Sequence, residues 1–260
     1  MKYHSLNHNS NNVTFLDAVR KGLAPDRGLY FPEKIPKLSE KLIQNINSYS
    51  DHEIAFEVMH PFVGNEISKN KLREIIADTL IFDFPILPIN DKIATLELFH
   101  GPTLAFKDVG ARFMARCLKY ANEIKLNKSL TILVATSGDT GGAVADGFYK
   151  VEGINVVILY PKGKVSAIQE KQLTTLGENI TALEVDGTFD DCQDMVKSAF
   201  IDSDLINEIE LTSANSINIA RWLSQMFYYF IVYKNRPYPE KKLVISVPSG
   251  NFGNICAGLV

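Results

Sequence analysis

Leu130-Thr-Ile-Leu-Val-Ala-Thr136 runs directly into Ser137-Gly-Asp-Thr-Gly-Gly142 and then into Ala143-Val-Ala-Asp-Gly-Phe148. An apolar run with no polar alternation fits a strand buried on both faces, which is the habit of parallel sheets. The next strand of such a sheet is reached through a crossover, usually a helix. Read outward from this unit, the pattern repeats. Strands are expected at Ile93–Leu98, Leu130–Ala135, Val156–Tyr160, Ile180–Val185 and Leu243–Val247. Helices are expected between them at Phe106–Glu123, Gly142–Val151, Ser166–Leu176, Phe189–Ile201 and Ile217–Tyr233. The fold class is therefore α/β, a parallel sheet with helices on both faces.

The first 90 or so residues read differently, as a mixed and mainly helical N-terminal domain, residues 1–90. A short helix at Val13–Lys21 is stopped by Gly22 and Pro25, and a short strand is expected at Gly28–Phe31. Two more helices are expected near Asp51–Met59 and Ser68–Ile81. Phe82-Asp-Phe-Pro-Ile-Leu-Pro-Ile-Asn90, with two prolines, marks the boundary to the α/β region, residues 91–260.

Composition narrows the function classes. With 46% hydrophobic and 22% charged residues the chain is an ordinary globular one, which excludes disorder and fibre. A net charge of −3 argues against nucleic acid or a membrane surface as partner. The longest strongly apolar run, Trp222 to Tyr233, is interrupted by Ser224 and Gln225 and is too short to span a bilayer. Cys117, Cys192 and Cys256 lie far apart with no CxxC pair, which predicts neither a disulfide scaffold nor a zinc site. The opening residues lack a signal-peptide core, so a cytoplasmic location is expected. His4 and His8 read as surface residues, and the stripe Trp222, Phe227, Tyr229 and Phe230 as core packing.

In open α/β sheets ligands bind beyond the C-terminal strand ends. Three loops there carry chemistry. Lys107, in Phe99-His-Gly-Pro-Thr-Leu-Ala-Phe-Lys-Asp108, lies in an apolar segment at a helix start. Both features favour the neutral amine, the form needed for a Schiff base. Its plain alternative is a solvated first-turn lysine. Ser137, Gly138, Asp139 and Thr140 offer hydroxyls and amides to an anion at a helix N-terminus. A dinucleotide turn fails there: the spacing is not GxGxxG, and no acidic residue follows the next strand at Tyr160-Pro-Lys162. Pro248-Ser-Gly-Asn-Phe-Gly-Asn254, with two Gly-Asn steps, can bring several amides onto one phosphate. An amine, a carboxylate-sized anion site and a phosphate cup are together what a pyridoxal-phosphate enzyme needs.

The chain resembles a known family through Glu97–Asp108, Thr136–Ala145, Leu159–Gly177, Asn215–Arg221 and Ser246–Asn254. It is similar to the bacterial and fungal threonine synthases, in the fold-type II pyridoxal-phosphate group with a tryptophan synthase β-like sheet. The likeness runs from the Leu6–Val19 stretch to the last residue. It implies that Lys107 carries pyridoxal 5′-phosphate. It implies that Gly250, Asn251, Phe252, Gly253 and Asn254 hold the cofactor phosphate, and that Ser137, Gly138, Asp139 and Thr140 receive the substrate carboxylate. Relatives acting on serine or O-acetylserine commonly carry Asn where Asp139 stands, so the Asp bears on substrate choice.

The implied reaction converts O-phospho-L-homoserine and water to L-threonine and phosphate, the last step of threonine biosynthesis. Lys164, Ser166, Asn215, Asn218 and Arg221, with Lys162, are the candidates for the substrate phosphate. A nested mobile subdomain at about 126–200 is also implied. Family members continue past the Gly250–Asn254 loop. The resemblance therefore implies a catalytic domain lacking its C-terminal part, including further strands and a hydroxyl residue at the pyridine nitrogen. That predicts an exposed apolar edge at Leu243–Val247, Ile255, Leu259 and Val260. The rival functions are another fold-type II lyase or dehydratase and a non-catalytic relative that keeps the cofactor. The oligomeric state is not legible in the sequence.

Overall fold

The computed structural model describes residues 1–125 and 129–260, and the expected start of the nested subdomain near residue 126 lies outside the described residues. The elements, in chain order, are β1 (Tyr3–Ser5), α1 (Phe15–Lys21), β2 (Tyr30–Pro32), α2 (Glu40–Gln44), α3 (Asp51–Val63), α4 (Lys69–Thr79), β3 (Ile86–Pro88), β4 (Ala94–Leu96) and α5 (Asp108–Lys125). They continue as β5 (Leu130–Ala135), α6 (Asp139–Phe148), β6 (Ile154–Pro161), α7 (Ala167–Thr174), β7 (Ile180–Val185), α8 (Phe189–Ala199), α9 (Ser203–Glu208), β8 (Glu210–Thr212), α10 (Ile219–Leu223), α11 (Met226–Asn235) and α12 (Gly253–Leu259).

The central sheet has the order β7-β6-β5-β8 and every pairing in it is parallel. Alternate residues of β5 explain why its sequence shows no polar face. Leu130, Ile132 and Val134 join the main core with α5 and α6, while Leu133 and Ala135 pack on Cys192 and Val196 of α8. A strand covered on both sides has no place for a polar residue that lacks a partner.

Three expectations need correction. The segment Ile93–Leu98 is not a strand of the parallel sheet. Its middle forms β4, which pairs antiparallel with β3 in a separate hairpin. The Asn90 carboxamide accepts from the amides of Lys92 and Ile93, which turns the chain back on itself. The proline-rich boundary therefore supplies one strand of a two-stranded ribbon, where proline is tolerated at the edges. Leu243–Val247 forms no strand among the described residues, although its exposure, 78% at Val244, is the one expected of an apolar edge there. A strand exists only as part of a ladder, and apolar sequence without a neighbour does not make one. The stretch Ile217–Tyr233 is two helices, α10 and α11. Ser224 Oγ and Gln225 Nε2 donate back to the carbonyls of Ala220 and Arg221, which competes with helix continuation at the junction. β8, three residues long, completes the sheet where no strand was expected.

The N-terminal elements brace this frame. Arg20 of α1 holds Glu210 of β8 through two bonds of 2.5 Å and Asn122 of α5 through a third, so helix, edge strand and helix are tied at one point. Phe31 of β2 stacks on Trp222 with ring centroids 5.6 Å apart, and Phe227 meets Phe113 edge-on. The aromatic stripe is core packing for Trp222 and Phe227, while Tyr229 and Phe230 are half-buried. Among the described residues no helix is long and apolar enough to cross a membrane.

Candidate active site

Lys107 precedes the first residue of α5, and both of its neighbours are fixed. The Asp108 carboxylate accepts from the Thr103 amide at 3.0 Å and from the Thr103 hydroxyl, closing the turn that leads into the helix. Gly101 permits this turn, because a Cβ there would sit 2.4 Å from the Asp108 carboxylate. On the other side the Tyr228 hydroxyl donates to the Phe106 carbonyl. Between these anchors the Lys107 amine reaches Asp139 at 3.7 Å, with 21% of the side chain exposed. Burial pushes the amine below its ordinary pKa, the buried Arg221 charge adds to the push, and Asp139 opposes it. A lysine so placed releases its proton more readily than a surface lysine, as Schiff-base chemistry requires.

Asp139 stands at the N-terminus of α6, on the loop that leaves β5. The loop's shape comes from Thr136, whose buried hydroxyl accepts from the amides of Gly138 at 3.0 Å and Gly141 at 2.8 Å. Gly138 has φ +142, a conformation that suits glycine alone. Ser137 and Asp139 are exposed and Thr140 is half-buried, so the loop presents polar groups outward. Asp139 also accepts from Gln169 Nε2 of α7 at 2.5 Å.

The third loop is built otherwise. The Asn254 side chain ties it locally, accepting from the Ser249 hydroxyl and the Ile255 amide and donating to the Pro248 carbonyl at 2.8 Å. Tyr229 OH donates to the Asn254 carbonyl at 2.7 Å. Phe252 takes φ +58, and Gly250, Asn251 and Phe252 are exposed. Among the described residues the amides of Gly250 to Asn254 donate to no protein group.

The other sequence candidates divide. Lys164 is exposed on the turn after β6, its amide donating to the Pro161 carbonyl. Ser166 caps α7 in a capping box with Gln169. Asn215 is half-buried, with its backbone amide on Ser213 Oγ. Asn218 is fully buried, and its amide donates to the carbonyls of Val19 and Ser213 while its oxygen caps α10. Arg221 is 1% exposed and donates to the Ala214 carbonyl, leaving its Nε without a partner. Burial depresses its guanidinium to about 10.

The structure thus brings together Lys107, the Ser137–Thr140 loop and, through Gln169, Ser166. The Arg221 charge acts on Lys107. Gly253 lies against Ser216 and Trp222, the latter next to Arg221 in the chain. Lys162 is drawn off to Glu184 at 3.8 Å, and His100 is paired with Glu97 at 2.7 Å. Thr136, Gln169, Asp108 and Tyr228 are the supporting residues that sequence reasoning missed. Among the described residues no cluster of His, Cys, Asp or Glu is arranged for a metal ion.

Residues 84–259 match the family model for pyridoxal-phosphate dependent enzymes. The chain belongs to that family. Residues 2–80 match the model described as the threonine synthase N terminus. The chain is 47% identical over 262 residues to a threonine synthase of Buchnera aphidicola subsp. Baizongia pistaciae, covering 100% of this chain and 61% of that protein. It is 45% identical to the threonine synthase of Escherichia coli K12, with 100% and 60% covered. The crystal structure of that Escherichia coli enzyme superposes with a TM-score of 0.91, and a pyridoxal-phosphate-bound threonine synthase from Brucella melitensis does so with 0.93 at 38% identity, covering 57% of that chain. The chain therefore spans about three-fifths of the length of these relatives. The family's cofactor is pyridoxal phosphate, and the residues present fit it: a half-buried lysine poised to lose its proton, a buried Arg221 Nε without a partner and a loop of amides without acceptors.

Proposed function

We propose that this chain carries the chemistry of threonine synthases, converting O-phospho-L-homoserine and water to L-threonine and inorganic phosphate. The observation that carries the reading is the Lys107–Asp139 pair, an amine and a carboxylate oxygen 3.7 Å apart, with the carboxylate on the loop that leaves β5. Identity of 45–47% to threonine synthases along the whole chain supports it.

When bound, pyridoxal phosphate supplies an electron sink for charge developing at the substrate Cα. Lys107 takes the proton from Cα and carries protons onward at Cβ. Asp139 keeps the amine in place and steadies its protonated form. Ser137, Gly138 and Thr140, with the first amides of α6, receive the substrate carboxylate. The amides of Gly250, Asn251, Phe252, Gly253 and Asn254 hold the cofactor phosphate. Lys164 and Asn215 reach the substrate phosphate, while Ser166, Asn218 and Arg221 hold the frame around it. Residues 1–90 act as one domain and 91–260 as a second, with a subdomain at about 126–200 that closes over the substrate in the cytoplasm.

The test is turnover of phosphohomoserine, with pyridoxal phosphate supplied, by the chain joined to the C-terminal segment that its relatives carry. Threonine and phosphate in equal amounts support the reading. Ammonia released from serine or threonine, with no phosphate from phosphohomoserine, would mark a dehydratase instead. Lys107→Ala should lower the rate by on the order of 10²–10⁴-fold and remove the borohydride-sensitive absorbance band.

A further inference from the structure

The geometry points to Gln169 as a positioning residue that aims the Asp139 carboxylate at Lys107, an inference that rests on the proposed role of that lysine. Gln169 Nε2 donates to Asp139 Oδ1 at 2.5 Å, and the other oxygen, Oδ2, is the one 3.7 Å from the Lys107 amine. One carboxylate oxygen is thus held and the other is presented.

The orientation of the Gln169 amide follows from its own helix. Its Oε1 accepts from the Ser166 amide at 3.2 Å and from the Ser166 hydroxyl at 3.1 Å, the reciprocal half of the cap of α7. An amide oxygen engaged by two donors leaves only the NH₂ to face Asp139. The cap that starts α7 therefore also decides that Asp139 meets a donor and not an acceptor. Asp139 is 52% exposed, and its side-chain partners among the described residues are Gln169 and Lys107.

A second observation comes from the loop backbone. A Cβ on Gly138 would lie 2.5 Å from the amide carbon and oxygen of Gln169. Glycine at 138 lets α7 press its side chain onto the loop, and no other residue allows that approach. Ser166, Gln169, Asp139 and Lys107 form one chain of contacts, from a helix cap to the reactive amine. The other charged group facing Lys107 is Arg221 of α10, with Asp108 of α5 and Tyr228 of α11 beside it, and none of these touches Gln169.

The test reads the protonation of Lys107 directly, by competitive acetylation with acetic anhydride across pH and mass spectrometry of the Lys107 peptide, without cofactor. Gln169→Glu keeps the capping box, since Glu serves at that position, but sets a carboxylate against Asp139. The labelling profile of Lys107 should move up by about one pH unit, so that labelling near neutral pH falls about tenfold. Gln169→Ala frees Asp139 to turn to solvent, and the profile should move down, because burial and Arg221 then act without opposition. Opposite displacements in the two variants support the inference, and either one alone in its stated direction does so if the other fails to fold. An unmoved profile in a folded variant, or movement of both in the same direction, overturns it. Failure of wild-type Lys107 to bind pyridoxal phosphate would overturn the proposed function and leave this measurement standing.

Discussion

Two loops of this molecule look alike in sequence and are held quite differently. Thr136–Gly142 and Pro248–Asn254 each follow an apolar run, carry glycines and hydroxyl or amide side chains, and lead into a helix. The first leaves β5, which is paired on both sides, and Thr136 locks two of its amides from beneath. The second follows a segment outside any ladder, and its ties are to its own Asn254 and to Tyr229. The two loops thus differ in what holds the segment before them. Chemistry that needs an atom placed closely, such as a carboxylate on an amine, sits on the first kind.

The sharpest way to break this contrast is at glycine. Gly138→Ala should lower stability by about 1–3 kcal/mol, from the left-handed φ and the contact with Gln169 together. Gly250→Ala, with open space at the added methyl, should stay within about 0.5 kcal/mol. Chemical denaturation of the pair decides the matter, and equal losses would put the two loops in one class. Next in size, Thr136→Val removes the partner of two buried amides and should cost about 1–3 kcal/mol. Ser249→Ala and Tyr229→Phe, each losing one hydrogen bond of the other loop, should cost about 0.5–1.5 kcal/mol or less.

A final comparison uses pH. Burial lowers the Lys107 pKa in the folded chain, so the folded state binds this proton less tightly than the unfolded one. The penalty is complete below the folded pKa and fades as pH rises through it towards the ordinary lysine range. Lys107→Met removes the penalty and should therefore help stability most near neutral pH, with the gain shrinking in alkali. Denaturation curves at pH 7 and pH 10 check this, and a pH-independent difference would show that the charge is not what burial penalises.

Much of the sheet was legible because its strands are apolar on both faces. Leu130–Ala135 and Ile180–Val185 were read with their observed limits. The same rule misread Leu243–Val247, since apolar character reports a tolerance for burial and not the presence of a neighbour. It also missed Glu210–Thr212, whose three residues carry a charge and no run. At the site, Lys107 was marked by its apolar segment at a helix start, and Asp139 by the family resemblance. Gln169 was not marked, because its meaning depends on a residue 30 positions earlier. A helix was expected at Ser166–Leu176, and nothing local said where the Gln169 amide would point. Arg221 read as a candidate for the substrate phosphate, and the structure holds it at 1% exposure.

The tie between Arg20 and Glu210 spans 190 residues of sequence. A ribosome working at roughly 5–20 residues per second makes Arg20 wait about 10–40 s before its partner emerges. Until then the β8 side of β5 stays open, an unpaired edge available to any other strand. The nascent chain thus passes through a window in which its N-terminal half is made but its sheet is unsealed. Variants of Arg20 would be felt in that window first, as lost yield of soluble protein, before any change in chemistry.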